Sequence, residues 1–398
     1  MPYAWGSHTA IAELTGRASP SPGPEAELWM GAHPMAPARV SRGGESRGLA
    51  DIITDDPPRA LGAEVATAFG ARLPFLLKVL AAEQPLSLQA HPTEEQARAG
   101  FAEEDARQVP RNAPERNYRD PQHKPELLCA LTPFDALCGF RRARGTLRLF
   151  EALDVKELDA VLAPLRAAPD RKGLGETFRA IMTLPKDEGE RLVRATVSAC
   201  EKSMSSAARF GNEYAWACRL DALYPGDVGV VSALMLNLLK LEPGQAIYLG
   251  AGNLHAYLGG VGIEIMASSD NVLRGGLTKK RVDVPELMRV LDFGDGPVTP
   301  LHAQPVDELE CVYLTPAKEF RLSVMNVTTG YIGGRTVCGP EILLCTEGNA
   351  ILAPGDGSPE VTLRRGGSAF VPASTGRYEV RAGERGGGSL YRATVNLT

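Results

Sequence analysis

The chain has 398 residues, of which 44% are hydrophobic and 23% are charged, as is ordinary for a globular protein of about two or three domains. A net charge of −5 argues against a general nucleic-acid-binding protein. The N-terminal residues lack the basic start and apolar stretch of a signal peptide, and no apolar run is long enough to span a bilayer. The seven cysteines are scattered and none forms a CxxC pair. We therefore expect a cytoplasmic protein with reduced thiols, no thiolate metal site and no membrane partner.

The first 144 residues predict short strands separated by proline-containing turns. We expect strands or strand ends in three places: 73–79, 86–91 and 125–129. A helix is expected over 94–107, because Thr93 can act as its N-cap and Gln96, three residues later, can complete a capping box.

Residues 145–223 instead carry apolar side chains at helical spacing, interleaved with charges, which predicts an inserted helical domain. Strand character is expected to return from Val228, and 284–291 predicts a short helix. From about residue 305, glycine-punctuated apolar runs recur about every ten residues, which is typical of an antiparallel sandwich or jelly roll. These runs are 342–345, 350–352, 361–363, 369–371 and 378–380. The predicted fold class is therefore mostly β with an α-helical subdomain.

A candidate metal site begins in the segment from Ser87 to His91, where polar and apolar residues alternate. In a strand, Ser87, Gln89 and His91 would share one face. A polar face inside a small barrel requires partners, because buried polar groups without them are destabilising. A bound metal would satisfy that requirement.

Two further segments offer ligands of the same kind. Lys124 and Glu126 would share a face of a second strand, and His255 follows a glycine-containing turn. Two imidazoles, one carboxylate and one amide oxygen suit zinc with an open position for substrate. Spacing alone leaves the alternatives open, since the first segment also fits an ordinary half-exposed strand, a lone histidine is usually structural and glutamine is an uncommon ligand.

Four stretches resemble one enzyme family in sequence and in order: 3–6 with 26–34, then 84–92, 123–126, and 252–259 with 266–278. Together they resemble the type I mannose-6-phosphate isomerases. The resemblance implies a pair of cupin-like jelly rolls with a helical insertion. On this basis we expect three domains: 1–144 with 224–300, 145–223, and 301–398. The last domain has no histidine after residue 302, so we expect it to be structural.

By the same resemblance, one zinc ion would be held by Gln89, His91, Glu126 and His255. The implied substrate is a phosphosugar, and the reaction interconverts mannose 6-phosphate and fructose 6-phosphate. A proton would move between C1 and C2 through a cis-enediolate.

The resemblance also implies that Arg274 is catalytic and that Lys124 is an active-site residue beside the metal. A lysine next to a divalent ion loses its proton more readily, whereas a guanidinium holds its proton tightly. We therefore expect Lys124 to be the base, with Arg274 as the second candidate.

Substrate-binding candidates are Ser87, Lys78, Glu264 and Asp270, chosen for different reasons. Lys78 is a charge in an apolar run and needs a partner or a site, and Ser87 shares a face with two expected ligands. Glu264 and Asp270 could orient the active-site cations or bind sugar hydroxyls, and the basic run 279–281 is a further phosphate candidate.

Two other function classes share parts of this pattern. A non-catalytic sugar-binding cupin would need the metal ligands but not the cations Lys124 and Arg274, so their presence argues against it. An iron-dependent cupin oxygenase would use two histidines and one carboxylate, which are present here. The glutamine at position 89 and the order of the motifs argue against that class.

Overall fold

The computed structural model describes residues 1–205, 209–383 and 386–397, which form two large antiparallel sheets and a group of helices. The predicted fold class is thus confirmed. The helices of these ranges are α1 (Ala10–Leu14), α2 (Leu49–Asp55), α3 (Pro57–Leu61), α4 (Ala63–Phe69), α5 (Glu94–Ala106), α6 (Ala143–Glu151), α7 (Leu158–Ala167), α8 (Arg171–Met182), α9 (Lys186–Ser203), α10 (Gly211–Leu223), α11 (Gly229–Ala233) and α12 (Val284–Val290). The strands are β1 (Glu27–Met30), β2 (Arg39–Arg42), β3 (Glu45–Gly48), β4 (Phe75–Ala82), β5 (Leu88–Ala90), β6 (Glu126–Ala130), β7 (Phe134–Phe140), β8 (Leu236–Leu241), β9 (Gln245–Leu249), β10 (His255–Ala267), β11 (Leu273–Gly276), β12 (Leu301–His302), β13 (Gln304–Pro305), β14 (Glu310–Tyr313), β15 (Arg321–Val327), β16 (Ile332–Thr336), β17 (Glu341–Pro354), β18 (Val361–Arg364), β19 (Ser368–Val371), β20 (Arg377–Ala382) and β21 (Gly388–Thr394).

The first sheet has ten strands and is organised around β10. The second half of β10 pairs with β4 and β6, whereas its first half pairs with β5 and β7. The register shifts between Tyr257 and Gly259, where the strand passes from one group of partners to the other. Gly260 has a φ of 125°, and a Cβ atom there would lie 2.8 Å from the carbonyl oxygen of Pro133. Glycine therefore allows β10 to pair with both groups of strands, and the sheet curls around a common interior.

The strand β4 shows why this interior is partly polar. All eight of its residues are buried. Leu77 and Val79 belong to a core cluster that includes side chains of the second sheet, whereas Leu80 belongs to the cluster inside the first sheet. Because alternate residues of a strand share a face, Lys78 points with Leu80 into the interior. A charge in an apolar run is thus placed inside the barrel-like sheet.

The second sheet has nine strands, seven of them in the order β13-β14-β15-β21-β17-β20-β16, with β18 and β19 also pairing with β17. The prediction of separate strands at 342–345 and 350–352 was wrong, because both lie in the 14-residue strand β17. A register shift between Cys345 and Glu347, followed by Gly348 at a φ of 62°, lets this strand bend without ending. Glycine here marks a bulge rather than a turn.

The predicted helical region is confirmed for the described residues, where α6 to α10 lie between Ala143 and Leu223. The predicted helix after Thr93 is also confirmed, and both hydrogen bonds of its capping box are present. The expectation of strand from Val228 was wrong, since α11 comes first and β8 begins at Leu236. A short apolar run does not by its periodicity distinguish a buried strand from a buried helix, and all five residues of α11 are buried.

The two sheets share one apolar core, which contains Val79 and Ile263 of the first sheet with Leu322 and Leu344 of the second. The division into three domains at the expected boundaries stays a prediction. The expected helical and C-terminal ranges include residues 206–208, 384, 385 and 398, which lie outside the described residues. All seven cysteines are free thiols. Within the described ranges no helix combines the length and apolar character that a membrane crossing needs.

Candidate metal centre

Three strands bring Gln89, His255 and Arg274 onto one face of the first sheet. Gln89 on β5 lies directly opposite His255 on β10 and directly opposite Arg274 on β11. Directly opposed residues of antiparallel strands point to the same side of the sheet. The register therefore aligns an amide, an imidazole and a guanidinium that are far apart in the chain.

His91 follows β5 immediately and is tied to the turn that precedes His255. The backbone N–H of Gly252 donates to the carbonyl of His91 at 2.8 Å. Gly252 has a φ of 75°, and a Cβ atom there would lie 2.9 Å from the amide nitrogen of Asp292. The glycine turn that the sequence indicated thus holds the two histidine-bearing segments together.

The side chains of His91, Glu126 and His255 converge in the interior. Their potential ligand atoms all lie within 4.8 Å of one another, and all three residues are buried. Glu126 begins β6, and its Oε1 lies 3.2 Å from Nε2 of His91 and 3.0 Å from Nζ of Lys124. Its Oε2 lies 3.5 Å from Nε2 of His255. The expectation that Lys124 and Glu126 point in the same direction is borne out by this contact.

The hydrogen bond made by Nδ1 of each imidazole determines whether Nε2, which faces the cluster, is a donor or an acceptor. Nδ1 of His91 lies 2.7 Å from the carbonyl oxygen of Asn271, and Nδ1 of His255 lies 3.0 Å from that of Asn253. A carbonyl oxygen only accepts, so each Nδ1 must be the protonated nitrogen and donate. In the neutral ring, Nε2 then carries a lone pair. Burial lowers the pKa of His91 to about 4, so this ring is neutral near pH 7.

Within the described part of the chain, three buried acceptor atoms are consequently left without a hydrogen-bond donor. These atoms are Nε2 of His91, Nε2 of His255 and Oε2 of Glu126. Burial opposes ionisation of Glu126, but Lys124 and His91 lower its pKa well below the ordinary value, so it is a carboxylate. Two lone pairs and a carboxylate oxygen facing one another in a dry interior destabilise the protein unless a cation binds all three. The two imidazole nitrogens and the carboxylate oxygen are ligands that zinc commonly takes, so the residues present fit a zinc ion.

Gln89 is half-buried beside this cluster. Its position opposite His255 directs its side chain to the same face. Its role as a fourth ligand stays a prediction.

A second group of charged side chains, Lys78, Glu264 and Glu27, lies in the same interior. The sequence predicted Lys78 and Glu264 as site residues but not Glu27. Nζ of Lys78 is 2.8 Å from Oε2 of Glu264 and 3.5 Å from Oε1 of Glu27, whose other oxygen accepts from Nε1 of Trp29 at 2.9 Å. Burial alone would lower the pKa of Lys78, but Glu264 and Glu27 raise it above its ordinary value. The sequence analysis missed Glu27, although the alternation of Glu27 and Trp29 along β1 signals a polar face. Lys78 is already paired, which argues against direct binding of phosphate by this residue.

Tyr257 is a further residue that the sequence did not indicate. It lies two residues beyond His255 on β10 and is buried, with its hydroxyl near the carboxylate of Glu264. Burial and the nearby carboxylates of Glu264 and Glu126 raise its pKa well above the ordinary value. Only the tertiary structure reveals this hydroxyl, because a tyrosine in an apolar strand carries no distinguishing signal.

Asp270 lies at a different edge of the site, where its Oδ1 is 3.4 Å from Nε2 of His33. Burial opposes ionisation of Asp270, but the hydrogen bond and charge of His33 lower its pKa. Ser87 is half-buried just before β5. The substrate-binding roles of these two residues, and of Lys78 and Glu264, stay predictions.

Three cations, Arg119, Arg274 and Lys280, carry charges that act on one another and are called the basic cluster; Arg274, on β11, lies directly opposite Gln89. Burial and the charge of Arg119 lower the pKa of Arg274. Burial, Arg274 and Arg119 likewise lower the pKa of Lys280. Within the described part of the chain, none of the three forms an ion pair with a carboxylate. Arg119 was missed by the sequence analysis, because it lies in an irregular segment outside the recognised motifs.

Comparison with known proteins gives one consistent family. A family model described as "Phosphomannose isomerase type I, catalytic domain" matches residues 1–143. The chain is 40% identical to mannose-6-phosphate isomerase of Escherichia coli (strain K12), over 99% of this chain and 97% of that one. It is 32% identical to the mannose-6-phosphate isomerase of Bos taurus, over 94% and 91% of the two chains.

Solved structures agree with these relatives. A variant of phosphomannose isomerase from Salmonella typhimurium superposes with a TM-score of 0.91 at 36% identity, covering 100% of this chain and 97% of that one. A zinc-bound mannose 6-phosphate isomerase superposes with a TM-score of 0.90, also at 36% identity and with the same coverage.

Proposed function

The chain belongs to the type I phosphomannose isomerase family of enzymes, and on that premise we propose that it interconverts D-mannose 6-phosphate and D-fructose 6-phosphate by moving a proton between C1 and C2. The proposed intermediate is a cis-enediolate of the opened sugar. We further propose that one zinc ion, held by Gln89, His91, Glu126 and His255, is required.

The observation that carries this proposal is the convergence of three buried acceptor atoms of His91, Glu126 and His255 with no donor between them. The two imidazoles are held in the tautomer that binds a metal through Nε2. When bound, zinc supplies a Lewis acid that stabilises negative charge on the sugar oxygens. The zinc-bound state of a mannose 6-phosphate isomerase with a TM-score of 0.90 supports the choice of metal.

Lys124 is the residue that we propose moves the proton. Its Nζ is 3.0 Å from Oε1 of Glu126, which places it beside the ligands, and its side chain is only 11% exposed. To take the proton from carbon it has to be the neutral amine. A general base has to lie within hydrogen-bonding reach of the proton that it removes, and Lys124 lies beside a residue that would hold the metal. Glu126 holds Lys124 in position through the same contact.

Arg274 is proposed to stabilise the developing charge rather than to act as the base. It lies beside Gln89 on the ligand-bearing face of the sheet. A guanidinium keeps its proton, so its natural role is to donate hydrogen bonds to an oxygen that becomes negative. Partial burial of Arg274 strengthens such an interaction, because less water competes for the same oxygen.

The basic cluster is our proposed site for the substrate phosphate. A phosphate requires several cationic donors, and the described structure gives these three cations no carboxylate partner. Lys280 belongs to the basic run 279–281 that the sequence indicated. Arg281 of that run instead pairs with Asp283 at 2.7 Å and with the carbonyl of Glu115 at 2.6 Å, so it is already engaged.

Isotope exchange tests the reaction directly. Mannose 6-phosphate carrying deuterium at C2 is incubated with zinc-loaded protein in ordinary water, and the product is analysed by NMR and mass spectrometry. Proton transfer through an enediolate predicts that part of the deuterium is lost to solvent while fructose 6-phosphate forms. Complete retention of deuterium at C1 would contradict the enediolate and indicate a hydride shift, whereas binding without turnover would indicate a non-catalytic sugar-binding cupin.

A further inference from the structure

Asn271, in the connection between β10 and β11, makes an unusual number of buried hydrogen bonds. It is 0% exposed. Its Nδ2 donates to the carbonyls of Asp120 at 2.7 Å and Gln122 at 2.8 Å, and its Oδ1 accepts from the backbone N–H of Arg119 at 2.7 Å. Its own carbonyl accepts from Nδ1 of His91 at 2.7 Å. One residue therefore contacts both a candidate zinc ligand and the segment that carries a cation of the basic cluster.

The two sets of contacts belong to different parts of Asn271. The side-chain amide holds residues 119–122, whereas the main-chain carbonyl orients the imidazole of His91. Residues 119–122 lead directly into Lys124, the proposed base. The backbone of Arg119 and the imidazole of His91 are thus both hydrogen-bonded to Asn271.

The two residues that precede Asn271, Ser269 and Asp270, also bind the segment 119–122, mainly through the side chain of Asp120. The carboxylate of Asp120 accepts from the hydroxyl of Ser269 at 2.9 Å and from the backbone N–H of Asp270 at 2.8 Å. These bonds hold the side chain of Asp120, whereas Asn271 binds the backbone on both sides of it. A backbone held at several points leaves an adjacent side chain fewer orientations, which lowers the entropy lost when that side chain binds a ligand.

We infer that Asn271 is a positioning residue for substrate phosphate, and that it acts by holding Arg119 at a set distance from the metal ligand His91. This inference rests on the proposed role of the basic cluster. Asn271 itself does not touch the substrate; its effect is exerted through Arg119. The amide is required because aspartate in its place would turn both donors into acceptors, facing two carbonyls and the carboxylate of Asp120 at 3.4 Å.

The variant Asn271→Ala separates the two contacts. It removes the amide but leaves the main-chain carbonyl that orients His91, so zinc content should stay near that of the unmodified protein. We expect the KM for mannose 6-phosphate to rise about tenfold, the size of effect that loss of a buried hydrogen bond produces, while kcat changes less. Zinc content is measured by atomic absorption after dialysis, and KM and kcat by a coupled assay.

A matched control is Asn237→Ala, which removes a half-buried amide whose hydrogen bonds run to backbone carbonyls and to none of the proposed metal ligands. Nδ2 of Asn237 donates to the carbonyls of Phe140 and Gly296 at 3.2 and 2.8 Å. Its loss should lower the melting temperature without raising KM. An unchanged KM in Asn271→Ala would overturn the inference, because the side chain would then have no effect on substrate binding. An equal rise in both variants would also overturn it, because that result describes a general effect on folding. If Asn271→Ala does not fold, Asn271→Asp, which preserves size, must show the same rise in KM with zinc retained.

The variant Arg119→Ala distinguishes failure of this inference from failure of the phosphate site. If Arg119→Ala leaves KM unchanged, the basic cluster does not bind phosphate through Arg119 and the premise is wrong. If Arg119→Ala raises KM but Asn271→Ala does not, the premise holds and the positioning role is wrong. In the double variant, a KM no higher than that of Arg119→Ala alone is the result expected when Asn271 acts through Arg119. Additive increases would contradict that connection.

Discussion

Gln89 and His255 lie directly opposite one another on the antiparallel strands β5 and β10, although 166 positions separate them in the chain. This pairing places an amide oxygen and an imidazole on the same face, beside the carboxylate of Glu126. The glutamine, which its chemistry alone would not mark as a ligand, thereby becomes a reasonable fourth donor.

Replacing Gln89 with alanine should weaken zinc binding about 10- to 100-fold, the range found when a group that supports a metal site is removed. The remaining ligands should still hold zinc at high concentration, so activity should recover as zinc is added. Titration with a competing chelator measures the affinity. Gln84→Ala, an exposed position of the same segment, is the matched control. Equal affinities for the two variants would show that Gln89 is not a ligand.

Removing zinc should abolish isomerisation and also lower stability. Without the ion, three buried acceptors face one another, so binding of zinc to the folded state alone should stabilise it by about 4 kcal/mol when free zinc is about 1,000 times Kd. Differential scanning calorimetry of metal-free and zinc-loaded protein measures this difference, independently of activity. Full activity, or an unchanged melting temperature, in protein shown to contain no metal would exclude the proposed site.

Lys124→Ala should abolish exchange of the C2 proton with solvent and lower kcat about 100- to 10,000-fold, as expected for loss of a general base. Arg274→Ala should also lower kcat, but exchange should remain detectable because the base is still present. Solvent exchange at C2 is followed by NMR, with the exposed Lys240→Ala as a control. Normal exchange by Lys124→Ala would show that another group moves the proton.

The contact of His123 with Glu319 predicts a particular dependence of stability on pH. Nε2 of His123 lies 2.7 Å from Oε1 of Glu319, in the segment between β14 and β15. The hydrogen bond to Glu319 raises the pKa of His123 above 6.5. Burial opposes ionisation of Glu319, but His123 lowers its pKa below 4.5. The stabilisation from His123 is lost as pH rises through its raised pKa, and that from Glu319 is lost as pH falls through its lowered pKa.

The free energy of unfolding that this pair contributes should therefore be largest between about pH 4.5 and pH 6.5. Its size should be about 0.5–1 kcal/mol, because the pair is partly exposed to solvent. The measurement is denaturant unfolding of the unmodified protein and of Glu319→Gln across the pH range, with their difference taken at each pH. Glu360→Gln, which removes an exposed pair with Arg381, serves as the control, since no histidine is involved. A difference that does not shrink above pH 7 would contradict the assignment.

Local sequence determined those features that depend on neighbouring residues. The capping box of Thr93 and Gln96 requires only a separation of three positions, and α5 begins where it predicts. The helical region follows from apolar spacing within each helix. Where an apolar run was short, as at Val230 in α11, local periodicity was insufficient and the prediction of strand was wrong. The bulge of β17 was missed for a similar reason, because glycine serves turns and bulges alike.

Identifying the site required both the sequence and the tertiary contacts. The resemblance to the type I mannose-6-phosphate isomerases identified Gln89, His91, Glu126 and His255 as a set, and alternation explained how two of them share a face. The pairing of Lys78 with Glu264, separated by 186 positions, and that of His91 with Asn271, separated by 180, arise only when β4, β5, β10 and β11 meet in one sheet. The sequence by itself determined which side chains are available for the chemistry. Only the tertiary structure decided which of them are already paired, which three acceptors of the described residues lack a donor, and that Arg274 lies opposite Gln89, because contacts between distant strands follow from register and burial.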